Sequence, residues 1–325
     1  MALDPVDEAH ALQIQAGILG RKAGHGFEDT LTTKINSAAY PLTALANRMS
    51  NVAIGDPADL LVRYIAETLG YAEVAGASAI STGALATSEA GVKWLSINGA
   101  NVSRCKSDLV VTLKARHGLS TTVGVSTKQC NNPSPTNAQL YFTTARGFVN
   151  LLRKNGLAVS DVALDALRQF CGDAGYRPAD DPAAMVGRAV DPRRYFWEEI
   201  QSKGRVELEA LLTRHQDTIT RLLLQKAYIE DPFVPEYMLH KTKKSASWDQ
   251  TEVAMYTIDE LILRSARYQG FTTRAYSVHK GSHKDPPGVK HLAPRFGIVQ
   301  MQRGGQKQHP EQLQFNLEAG YFYKL

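Results

Sequence analysis

The sequence predicts an α/β protein: strands and helices alternate through the first half, a helical stretch follows, and the last third is basic and rich in strands and loops. Three observations carry this. Apolar residues in "KSDLVVTLK" and "TTVGVSTKQ" fit extended chain bounded by turn residues, those of "FEDTLTTKINSA" recur at spacing four, and cations gather after residue 231 among Gly, Ser and Gln. With 325 residues, 43% of them apolar, the chain can bury a sizeable core. It divides into residues 1–158 with N-terminal helices, a helical region 159–230 and a basic strand-and-loop region 231–325, a division compatible with one continuous domain.

Each element follows from local chemistry. Residues 7–22 read as a helix, and the glycine-punctuated "AGHG" leads into a second one with Phe27, Leu31 and Ile35 on one seam and Glu28 a step away. Asp56-Pro57 starts a helix running to about Gly70, with Leu60, Leu61, Tyr64, Ile65 and Leu69 facing a core. "VKWLSIN" and "KSDLVVTLK" are strands, "RHGLS" is a turn and "TTVGVSTKQ" is a third strand. After the loop "NNPSPTN", Thr136 with Gln139 three residues on predicts a helix start, and "AQLYFTTARGFVNLLRKNG" reads as the helix, closed by Lys154 and Gly156. "SDVALDALRQFCG" starts at a Ser160 cap. "AGYRPADDPAAMVGRAVDPRR" is the best candidate for a linker or mobile loop, and residues 195–230 form a long amphipathic stretch with a break expected at Gly204. "TIDELILRSARYQ" is a short helix, and strands near 295–303 and 312–318 form a hairpin around Gly304-Gly305.

Composition narrows the class. No run approaches the roughly 20 apolar residues of a membrane span, and the first residues lack the basic-then-apolar order of a secretory signal, so a cytoplasmic protein is expected. Cys105, Cys130 and Cys171 show neither CxxC spacing nor a nearby histidine pair, which argues against a disulfide framework or a zinc site. A net charge of +5 and a pI near 9.0 lean toward a polyanionic partner.

The chemistry concentrates on the first hairpin. On the strand after the turn, Gly124, Ser126 and Lys128 share one face while Val123, Val125 and Thr127 take the other. An antiparallel return brings Asp108 into the neighbourhood of Lys128. A carboxylate beside an ammonium suits phosphodiester hydrolysis: carboxylate oxygens hold Mg²⁺, the metal lowers the pKa of a bound water, and the lysine orients that water or stabilises developing charge. A second carboxylate is normally needed, and Glu28 can supply it. The bland alternative is an ordinary ion pair at a sheet edge, worth little when exposed.

These residues resemble the core of the PD-(D/E)XK nuclease superfamily, which includes most type II restriction endonucleases. The pattern is an acidic residue on a helix, an Asp at the head of a strand, (D/E)xK on the next strand, then a helix; the matching positions are Glu28, Asp108, Ser126 and Lys128, with Gln129 following the lysine as in several members. Ser107 stands in place of the family's proline, and Ser126 stands where Asp or Glu is usual, as in members that carry SxK and take their carboxylate from a helix. The resemblance covers roughly residues 25–155. It implies a restriction-endonuclease-like mixed sheet flanked by helices and a Mg²⁺-dependent, sequence-specific endonuclease of double-stranded DNA. In that enzyme Asp108 and Glu28 hold metal, Lys128 positions or activates the water, and Ser126 supports the metal shell. A homodimer on a palindromic site and a cognate DNA methyltransferase are the implied partners. A non-catalytic DNA-binding or phage-defence protein with a degenerate nuclease fold is the alternative, kept open by Ser126.

The C-terminal third adds a candidate DNA surface: Lys241, Lys243, Lys244, Arg274, Lys280, Lys284, Arg303 and Lys307, with Gln129 and Gln306. A hairpin such as that around "MQRGGQKQ" can enter a major groove, where Arg pairs with guanine and Gln with adenine. The histidines of "HKGSHKDPPGVKH" match no common zinc or HNH spacing.

Overall fold

The structure is a computed structural model that describes residues 26–44, 51–82, 95–97, 100–102, 106–226, 233–279, 283–304 and 311–325. The expected helix 7–22 and the positions Cys105, Lys280, Gly305, Gln306 and Lys307 lie outside the described residues. The described residues fold as two compact units: one takes those from 26 to 138, Leu224–Arg264 and Ala319–Leu325, the other Gln139–Leu223 and Ser265–Glu318.

The first unit is a mixed sheet with helices packed on it. Its strands are β1 (Leu42–Thr43), β2 (Val52–Gly55), β3 (Glu73–Ser81), β6 (Leu109–Ala115), β7 (Ser120–Gln129), β9 (Tyr237–Lys241) and β10 (Thr251–Thr257), in the order β1-β3-β6-β7-β9-β10-β2. The intervening β4 (Leu95–Ile97) and β5 (Ala100–Val102) pair with each other. The β7–β9 pairing is parallel, and the other pairings of the seven-stranded sheet are antiparallel. Helix α1, residues 26–37, buries Phe27, Leu31 and Ile35, the seam expected from spacing four. Helix α2 (Pro57–Thr68) starts where the Asp56 carboxylate accepts from the Ala58 and Asp59 amides, as the Asp-Pro signal predicts. Both helices share a core with Val111, Val123, Val125 and Leu239.

The turn between β6 and β7 falls at "RHGLS", with Gly118 at φ +85°, a conformation that favours glycine. Farther along β7, Gly124 faces a crowded wall. A Cβ there would collide with Ser107 Oγ and come within 3.0 Å of the Phe233 ring and the Val234 carbonyl. Gly124→Ala is therefore expected to lower stability by about 1–3 kcal/mol through overpacking. A urea melt of the variant that overlays the wild-type curve would refute this.

The second unit holds an antiparallel-rich sheet in the order β11-β12-β13-β14-β8, built from β8 (Ala138–Thr143), β11 (Phe271–Tyr276), β12 (His291–Phe296), β13 (Val299–Arg303) and β14 (Leu313–Leu317). Its helices include α3 (Ala145–Lys154), α4 (Asp161–Cys171), α5 (Ser202–Arg214) and α6 (Gln216–Gln225). The short helix expected at "TIDELILRS" is α7 (Ile258–Ser265).

Three expectations are corrected. The helix predicted from Thr136 begins later, because residues 138–143 are strand β8 and the Thr144 hydroxyl accepts from the Gly147 amide to cap α3; the aromatic and β-branched run "LYFTT" fits a pleated strand better than a helix. Gly204 does not break a helix but lies inside α5, where a Cβ would come within 2.6 Å of Ala166 Cβ on α4, and the break comes instead at His215, between α5 and α6. The strand predicted over 295–303 is two strands, turned at Gly297 with φ +55°. The Pro- and Gly-rich segment after Gly175 is tethered: Arg188 pairs with Glu199 at 2.9 Å, and Arg193 with Asp191 at 2.8 Å.

Candidate active site

The first unit brings Asp108, Ser126, Lys128 and Glu28 into one neighbourhood. β6 and β7 pair with Leu109 opposite Val125, so Asp108, one residue before β6, lies level with Ser126. Its amide donates to the Val125 carbonyl at 2.9 Å, which ties the residue to the ladder. Asp108 Oδ2 accepts from the Thr127 amide at 2.7 Å and from Ser126 Oγ at 3.1 Å.

Lys128 Nζ donates to Ser126 Oγ at 3.0 Å and to the Thr127 carbonyl at 2.7 Å, and stands 3.9 Å from Asp108 Oδ2. Asp108 and Lys128 are thus not a simple ion pair. The Ser126 hydroxyl lies between them, accepting from the ammonium and donating to the carboxylate. The Lys128 side chain is only 15% exposed, so its position is set more by these partners than by solvent.

Glu28 arrives from α1 on the other face of β7, the face of Val123, Val125 and Thr127, where Thr127 Oγ1 donates to Glu28 Oε1 at 2.9 Å. At 8% exposure it is a buried carboxyl. Burial, first, and the neighbouring Asp108 charge, second, push its pKa up to about 7, against the lowering influence of Thr127 and Lys128. Thr127 was not singled out by sequence reasoning. A hydroxyl closing an otherwise apolar Val-Val face is the signal that marks it.

A second residue missed from sequence is His240. It is the parallel partner of Lys128 across β7 and β9, and its Nδ1 lies 3.2 Å from the Tyr321 hydroxyl with the two rings stacked. Burial, reinforced by the Lys128 charge, pushes its pKa down to about 3, so it is a neutral wall beside the lysine. Nothing in "MLHKTKK" announces this, because the contact depends on which strand lies beside β7.

The donor set fits a hard divalent cation. Asp108 Oδ1 and Glu28 Oε2 accept no hydrogen bond among the described residues, and the Asp108 charge adds to burial in raising the Glu28 pKa. Among the described residues no group of three or more His, Cys, Asp or Glu side chains is arranged to hold a metal ion. Two carboxylates are the usual protein share for Mg²⁺, which keeps several waters and takes its remaining oxygens from phosphate.

The other predicted contact residues distribute unevenly. Gln129 pairs in register with Lys241, whose ammonium donates to Asn131 Oδ1 at 2.9 Å, and the exposed Lys244 donates its amide to the Asn132 carbonyl at 2.8 Å. Lys243 pairs with Glu252 at 2.9 Å. In the second unit Arg274 and Lys284 are exposed, whereas the Arg303 side chain is 9% exposed and lies 3.9 Å from Asp191.

No family model matches this chain, and no curated protein matches its sequence. Among solved structures it is similar to the restriction endonuclease MspI in complex with its cognate DNA, with a TM-score of 0.43 and 12% identity over 79% of this chain and 76% of that chain. Among the described residues no helix is long and apolar enough to cross a membrane.

Proposed function

We propose that the protein is a Mg²⁺-dependent endonuclease that cuts double-stranded DNA at a specific sequence, in the manner of a type II restriction enzyme. The observation that carries this reading is the Lys128–Ser126–Asp108 chain of hydrogen bonds beside a second buried carboxyl, Glu28. A structural ion pair has no need of an intervening hydroxyl or of a second carboxyl buried close enough to feel the first.

Asp108 and Glu28 would hold the ion, with Ser126 supporting the oxygen shell. When bound, Mg²⁺ lowers the pKa of a coordinated water and neutralises charge on the phosphoryl oxygens. Lys128 presents a fixed ammonium 3.9 Å from Asp108 Oδ2, able to orient the attacking water and to stabilise charge developing on the phosphate. Ser126 and the Thr127 carbonyl hold that ammonium in place. A homodimer with two such sites would cut both strands of a palindrome, and a cognate methyltransferase would protect the host's own sites.

The test is incubation of the purified protein with unmethylated phage DNA and Mg²⁺. Discrete fragments that need the metal are expected. Intact DNA that is nevertheless retarded on a gel would favour a DNA-binding protein with a degenerate site, the reading that the two-carboxylate set and Ser126 leave open.

A further inference from the structure

In the second unit, β13 reads V-Q-M-Q-R and β14 reads L-Q-F-N-L. Strand alternation turns Val299, Met301, Leu313, Phe315 and Leu317 into the core, all of them buried, and sends the amides to the opposite face. Register places Gln300 opposite Asn316 and Gln302 opposite Gln314. The row extends both ways. Gln314 Nε2 donates to Gln139 Oε1 on β8 at 3.1 Å and to Asn316 Oδ1 at 3.1 Å, while Arg295 on β12 stands opposite Gln300. Gln139 is exposed, and Gln300, Gln302 and Gln314 are half-buried.

An ordinary solvated strand face carries Lys, Glu and Thr. Asn is disfavoured in strands, and Asn316 is 2% exposed with its Nδ2 hydrogens unpartnered, an arrangement that costs stability when no ligand compensates. An amide offers a donor and an acceptor side by side, the pattern that matches adenine N7 and N6 in the major groove, and Arg matches guanine O6 and N7; Gln314, whose two Nε2 hydrogens go to Gln139 and Asn316, presents its Oε1 to the adenine N6 amino group. Long amide side chains that project from two adjacent strands about 4.8 Å apart bring their ends within the width of a groove of about 12 Å. Arg274 is exposed on the same face of β11, while Glu318 is paired with Arg295 at 2.7 Å and Glu198 with the buried His291 at 2.9 Å.

We propose that this amide-lined face of the five-stranded sheet, centred on β13 and β14, reads base edges in the major groove of duplex DNA, with adenine as its principal target. The inference rests on the DNA-cutting reading above and supplies its specificity surface. It also reassigns the hairpin: base contacts come from the outward Gln300, Gln302 and Gln314, whereas Arg303 points to the opposite, inward face and holds the loop carrying Asp191.

The experiment selects binders from a random duplex library with the full-length protein in Ca²⁺, so that binding is read without cutting. The wild type is expected to enrich a motif containing adenine, and replacing those adenines by 7-deazaadenine should weaken its binding about tenfold or more, by removing the N7 acceptor. Gln302→Ala/Gln314→Ala should bring motif binding down to the level of a scrambled duplex and make it insensitive to 7-deazaadenine. Failure to enrich any motif, enrichment retained by the double variant, an unmodified response to 7-deazaadenine in the wild type, or preference for RNA or single strands would each overturn the proposal. The 7-deazaadenine arm needs no variant, so misfolding of the substituted protein cannot decide the outcome. A wild type that enriches the motif yet leaves DNA intact in Mg²⁺ would sink the nuclease reading and sustain this one.

Discussion

Asp108→Asn is expected to reduce DNA cleavage by about three orders of magnitude or more while leaving the protein folded. Asp108 combines Oδ1, which would meet the metal, with Oδ2, which organises Ser126 and Thr127. The asparagine carbonyl still accepts from the Thr127 amide, so the local ladder survives, but the negative charge is lost. That removes both a metal ligand and the counter-charge to Lys128, terms each worth a hundredfold or more in comparable sites. Lys128→Ala should lose activity to a similar degree for a different reason, the absence of a fixed cation beside the phosphate. Single-turnover cleavage of a plasmid, alongside thermal melts of each protein, separates chemistry from folding. Activity within tenfold of wild type in either variant would show that the charged pair is only structural.

Glu28→Gln is expected to stabilise the metal-free protein and to abolish cutting. The carboxyl has its pKa near 7 in the folded chain against an ordinary 4.5, so the folded state resists ionisation that the unfolded state permits. Below about pH 4.5 the group is protonated in both states and contributes nothing. Between about 4.5 and 7 the unfolded chain ionises first, and stability falls as pH rises; above 7 the loss is constant, on the order of 3 kcal/mol. Glutamine keeps an oxygen for Thr127 and carries no charge. Urea midpoints should coincide near pH 4 and separate in favour of the variant at pH 8. Mg²⁺ at pH 8 should raise the wild-type melting temperature more than that of the variant, since the ion stabilises the charged form. A variant less stable than wild type at pH 8 would contradict this account.

Much of the first unit was legible from local pattern. Period four in α1, the Asp56-Pro57 start of α2 and the β6–turn–β7 hairpin depend on contacts within a few residues, where capping, periodicity and turn chemistry act directly. The proximity of Asp108 to Lys128 followed from that hairpin. Misreadings arose where local preference was divided. "LYFTTARGF" holds both β-branched residues and good helix formers, and the sheet edge settled the first half as strand. Gly204 looked like a breaker because only the approach of α4 explains why it must be small.

The chain thus carries in its local order the candidate residues of the proposed site: a carboxylate, a lysine, and the helix and strands that bear them. Nonlocal packing settled the rest. The parallel insertion of β9 beside β7 puts His240 next to Lys128, although 112 positions separate them in numbering, and joins a segment after Leu224 to the sheet bearing Asp108. The face from which Glu28 approaches, and hence its bond to Thr127 and its raised pKa, was likewise settled by packing. The physical reason is range. Periodicity and caps are set by neighbours along the chain, whereas strand order and the burial of a charge depend on surfaces that meet only after collapse.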